Sequence, residues 1–61
     1  MEHGYASRRN FGRKTYVLWE VLSDRDAAYR LAASIRSRNM PARVAKDRWE
    51  DYYAVYIIHV R

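Results

Sequence analysis

The chain has 61 residues, no cysteine, and 12 Lys and Arg against 7 Asp and Glu, a formal charge of +5. That length bounds it to one small domain, which buries only about 60% of its unfolded surface and usually needs a further support. Disulfides and thiolate metal sites are excluded, no run approaches the ~18 apolar residues of a membrane span, and the N-terminal residues lack the apolar core of a secretory signal. The expectation is a cytoplasmic protein with no cofactor and no metal. Ten of the twelve cations are Arg, whose planar fork suits phosphate and carboxylate.

Residues 1–13 hold both glycines, carry Arg8, Arg9 and Arg13, and show no hydrophobic periodicity, so they read as a flexible basic arm. Residues 14–61 are then expected to form the domain. The stretch 15-TYVLWEVL-22 is β-branched and aromatic, the composition of a strand. Strict alternation divides it into Tyr16, Leu18, Glu20, Leu22 and Val17, Trp19, Val21. The second set is wholly apolar and is expected to face a helix. Ser23 and Asp26 then stand as N-cap and N3 of that helix. Ala27, Ala28, Leu31, Ala32 and Ile35 recur at helical spacing and form its buried stripe, rich in Ala and so able to sit close to a sheet. Asn39 is the expected left-handed stop, and Pro41 prevents continuation.

Next, 42-ARVAK-46 reads as a short strand, 47-DRWED-51 as a polar turn, and 52-YYAVYIIHV-60 as the longest strand, apolar on both faces. The order strand, helix, strand, strand predicts an α+β, β-α-β-β domain. Its three-stranded sheet should have order 1-3-2, with the last strand central and one helix on one face. The other face is left open. It would carry Tyr16, Leu18 and Leu22, with either Tyr52, Tyr56 and Ile58 or Tyr53, Val55 and Ile57 from the last strand. A patch of that size marks an interface. A homodimer joined through Tyr16, Leu18, Leu22, Tyr52, Tyr56 and Ile58 is the expected cover, ahead of an RNA-stacking platform or another protein.

The run 16-YVLWEVLSDRDAAYRLAASIRSRNMPARV-44 followed by 53-YAVYI-57 resembles the first half of a SPOR domain. The shared features are an opening Tyr-x-Val strand, an Ala/Leu-striped helix, Pro-Ala-x-Val and a further strand. The resemblance implies the fold, and a complete sheet of that kind would take two chains. The glycan binding of that family is not carried over, since no signal or anchor accompanies the motif.

No catalytic arrangement is legible. The serines lie outside any Gly-x-Ser-x-Gly turn, no Gly-rich phosphate loop occurs, and a lone His59 on an apolar strand reads as structural. The expectation is a non-enzymatic protein that binds nucleic acid through phosphates with little sequence readout. Its contacts would come from Arg8, Arg9, Arg13 and Lys14 of the arm, from Arg25 and Arg36 of the helix, and from Arg43, with Phe11 and Tyr29 as stacking residues. The alternative is a protein-interaction module, a small regulator docking through Trp49 and the tyrosines.

Overall fold

A computed structural model describes residues 3–58. Its elements are β1 (Arg8–Phe11), β2 (Lys14–Leu22), α1 (Arg25–Arg36), β3 (Ala42–Ala45) and β4 (Tyr53–Ile57). The sheet order is β1-β2-β4-β3, and each neighbouring pair is antiparallel. β2 and β3 therefore run parallel with β4 between them. This is the split β-α-β unit that the apolar character of the last strand predicts.

The sheet has four strands, not three. The fourth lies within the stretch read as a flexible arm: 8-RRNF-11 pairs with β2, from Arg8 opposite Val17 to Phe11 opposite Lys14. Two residues, Gly12 and Arg13, close the hairpin. Gly12 has φ 66° and Arg13 is not among the positive-φ residues, the sign pattern of a type II′ turn with Gly first. The turn's twist matches that of the strands, and a side chain in place of Gly12 would be strained.

The helix begins one residue later than the Ser23 cap predicts. Asp24 is the N-cap, with extended φ and ψ, and its carboxylate accepts a hydrogen bond from the Ala27 N–H at 3.1 Å. A carboxylate at this place satisfies an orphan donor and meets the positive end of the helix dipole. At the other end Asn39 adopts φ 63°, the left-handed stop that its short amide tolerates. Arg36 Nε donates to the Ala42 carbonyl at 3.0 Å, which ties the end of α1 to the start of β3.

Two apolar layers sandwich the sheet. On the inner side, Ala28, Ala32 and Ile35 of α1 bury Ala42, Val55 and Ile57, with Leu22, Leu31, Met40, Val44 and Tyr53 packed around them. The outer layer is Tyr5, Tyr16, Val21, Ala45, Ala54 and Tyr56, with Phe11, Leu18, Tyr52 and Ile58. Of the two registers open for the last strand, the chain adopts the one that turns Tyr53, Val55 and Ile57 to the helix.

In β2 the alternation fails. The pairing steps from Leu18–Tyr56 to Glu20–Val55, so Trp19 is an extra residue in a β-bulge. Beyond it every side chain changes face. Val21 joins the outer layer, and Leu22, expected on the outer face, packs against the helix. Val17 and Trp19, expected under the helix, are instead 40% and 56% exposed. His59 and Val60, which end the predicted last strand, lie outside the described residues.

Candidate nucleic-acid interface

The outer sheet face is closed by the chain's own N-terminal segment. Tyr5 is buried, and its hydroxyl donates to the Tyr52 carbonyl at 2.7 Å and accepts from the Asp47 N–H at 3.0 Å. The fully buried Tyr56 donates from its hydroxyl to the Ala6 carbonyl at 2.7 Å. The Gly4 N–H donates to Glu50 Oε2 at 2.6 Å. Burial pushes both phenols above the ordinary 10.0. For Tyr5 the hydrogen bond from Asp47 opposes the rise, and for Tyr56 the nearby Arg9 guanidinium opposes it. Tyr fits such a layer because its ring fills apolar space while its hydroxyl satisfies backbone groups that would otherwise be stranded.

Phe11 completes this cover. Its ring meets Tyr16 edge-on at 5.0 Å between centroids and Tyr56 at 5.6 Å. Two guanidiniums lie over the same ring, Arg9 at 5.4 Å and Arg43 at 5.0 Å. Arg9 also reaches Asp47 at 3.3 Å, a partly buried ion pair that clips β1 to the β3–β4 connection. Three of the residues expected to bind ligand, Arg9, Phe11 and Arg43, are therefore gathered on one face, and two of them serve the fold. Phe11 is packed into the layer, not raised from it.

The other expected contacts separate. Arg25 lies 4.9 Å from the Tyr29 ring and 3.7 Å from Asp26 on the exposed side of the helix. Arg36 is engaged at Ala42. Arg8, Arg13 and Lys14 stand exposed on the hairpin. Of the six residues expected to meet a second copy, Tyr16 and Tyr56 are buried within the single chain. Leu18, Tyr52 and Ile58 are half-buried in the outer layer, and Leu22 faces the helix. Sequence reasoning left Tyr5 in a tail and put Trp19 in the core. The Gly-Arg turn is the available signal for the first, and for the second only Glu20, a lone carboxylate among Tyr16, Leu18 and Leu22, hints at the bulge.

Topology sorts the charges by end. In a β-α-β crossover the start of β2, the end of α1 and the start of β3 share one end of the sheet. Arg13 and Lys14 open β2, Arg36 and Arg38 close the helix region, Arg43 lies early in β3, and Arg8 is on the adjoining hairpin strand. No described carboxylate belongs to these segments. Glu20, Asp24 and Asp26 lie towards the opposite end, whereas Asp47 of the β3–β4 connection comes within 3.3 Å of Arg9 on the hairpin strand. Topology thus gathers cations towards the hairpin end, although Asp47 reaches in to Arg9 beside them.

Among the described residues no group of His, Asp and Glu is arranged to hold a metal, no helix is long and apolar enough to cross a membrane, and no enclosed pocket opens on the surface. No family model, no curated protein and no solved structure matches this chain.

Proposed function

We propose that this protein is a small non-enzymatic binder of nucleic acid that holds the phosphate backbone with the cations at the hairpin end of its sheet. The observation that carries the reading is the gathering of exposed cations on the hairpin and the segments beside it. Topology places Arg8, Arg13, Lys14, Arg38 and Arg43 towards one end of the sheet, in segments that themselves hold no described acid, and three of them lie on one hairpin. Arg and Lys so arranged release condensed counterions when they meet phosphates, which supplies affinity without reading bases. Arg9 and Arg36 support this surface from within the fold and are not expected to be its principal contacts.

The test is fluorescence anisotropy of a labelled oligonucleotide across a salt series. Joint replacement of Arg8, Arg13 and Lys14 by Ala should lower the log–log salt slope by about 2–3, at ~0.7–0.9 for each phosphate left unneutralised. Joint replacement of Lys46 and Arg48, in the β3–β4 connection, should leave the slope unchanged. Equal effects of the two variants, or affinity insensitive to salt, would overturn the reading.

Docking on another protein is the second reading, and one observation favours it: Trp49 is 74% exposed. Under that reading Trp49→Ala abolishes binding and the hairpin variant does not. Residues of the same chain, Tyr5 and Phe11 among them, pack on the sheet face that a homodimer was expected to bury, and Leu18, Tyr52 and Ile58 stay half-buried there.

A further inference from the structure

Resting on the nucleic-acid reading, we propose that the ligand is single-stranded and that Trp19, raised by the β-bulge, is the side chain on which an unpaired base stacks. The inner layer takes only Leu22 from β2, so the helix leaves the rest of that strand's inner face open. Val17 and Trp19 are exposed there or beside it, and Arg8 stands directly opposite Val17 across the hairpin. An indole and a short apolar shelf next to phosphate-seeking cations is the combination that single strands use and duplexes do not, since paired bases present no free π-face. Bulges commonly re-aim one side chain at a functional surface.

The competing aromatics are each disqualified by their surroundings. Phe11 is edge-packed against Tyr16 and Tyr56 and covered by Arg9 and Arg43. Tyr29 carries Arg25 on its ring and sits on the turn of helix next to Asp26. Trp49 lies within 47-DRWED-51, whose three carboxylates repel phosphate. Trp19 also has an acid beside it, the exposed Glu20; what selects it is its place on β2 two residues from Val17, which Arg8 faces across the hairpin. A second copy of the chain is a poor occupant. The exposed large apolar residues are Val17, Trp19, Tyr29 and Trp49, scattered over three parts of the fold, whereas a stable interface needs roughly 1,000 Å² of contiguous burial.

The experiment uses the full chain carrying Trp49→Phe, so that Trp19 is the one indole reporting. It is titrated with a 12-nucleotide single strand and with the matching duplex in the same buffer. The single strand should quench Trp19 emission and bind more tightly than the duplex. Trp19→Ala should weaken single-strand binding by about ten-fold, within the range for loss of one base stack, with an unchanged salt slope. Trp19→Phe, which keeps a ring, should recover most of that loss and shows that the site tolerates substitution. Equal affinity for both forms with unmoved Trp19 emission would overturn this inference and leave the phosphate reading standing. No binding of either form would overturn both.

Discussion

Removing the Tyr5 side chain should nearly unfold this protein, although the residue lies in what reads as a polar tail. Its hydroxyl satisfies two backbone groups, the Tyr52 carbonyl and the Asp47 N–H. Tyr5→Phe deletes both bonds while keeping the ring, and at a net value near 1 kcal/mol each it should cost about 1–2 kcal/mol. Tyr5→Ala also empties the space over Ala54 and Tyr56, and large-to-small changes of aromatic residues cost about 3–5 kcal/mol. A domain of this length is stable by only about 3–9 kcal/mol. The assay is urea denaturation followed by circular dichroism. With a slope of about 1 kcal/mol/M, Tyr5→Phe should lower the midpoint by about 1–2 M, and Tyr5→Ala should be substantially unfolded without denaturant. A Tyr5→Ala midpoint equal to that of the parent would refute the claim that residues 3–7 close the outer face. That face would then be open for the second copy that its sequence suggests.

The helix cap offers a sharper local check. Asp24→Ala should cost about 1 kcal/mol through loss of the bond to the Ala27 N–H, and Ser23→Ala should cost much less, the reverse of what a Ser23 cap requires. Alkali should expose the buried phenols. Tyr5 and Tyr56 both have folded pKa values raised above 10.0, so the stability tied to them is complete below pH ~10 and is lost as pH rises through the raised values. Absorbance at 295 nm should show a late phenolate phase that coincides with unfolding and shrinks in Tyr56→Phe; a single unshifted titration would contradict the burial. Light scattering should give the mass of one chain, 7.4 kDa. Twice that mass would mean that Leu18, Tyr52 and Ile58 offer a second copy more than their half-buried state suggests.

The central unit was legible because its signals are periodic and mutually consistent. The Ala28–Ala32–Ile35 stripe, Asn39 before Pro41, and a last strand apolar on both faces each point to one helix over a sheet with β4 inside. β1 was not legible by the same rule. It is a short edge strand with Arg8 and Asn10 on one face and Arg9 and Phe11 on the other, so it has no apolar alternation to detect, and its burial comes from reaching across the sheet. The face assignment in β2 failed for a different reason. Alternation assumes one residue per step, and the bulge at Trp19 uses one residue without a partner. Glu20 carried the only hint, as a lone carboxylate in an otherwise apolar set.

The same distinction governs the candidate site. Composition reveals that the chain is rich in Arg, but it cannot separate an Arg that holds the fold from one that meets a ligand. Arg9 and Arg36 are engaged internally, on Asp47 and Phe11 and on the Ala42 carbonyl. Arg8, Arg13 and Lys14 make no comparable contact among the described residues, and they stand exposed on the hairpin that the sequence concealed. The aromatics divide by the same logic. A Tyr can be buried at small cost when its hydroxyl reaches a backbone partner, as Tyr5 and Tyr56 do, and the outer face is packed by this means within the single chain. The two Trp residues find no such place and remain at the surface. Of these, only Trp19 is on the sheet and away from the acidic connection, so the bulge that defeats the sequence rule is also what makes that side chain available to a ligand.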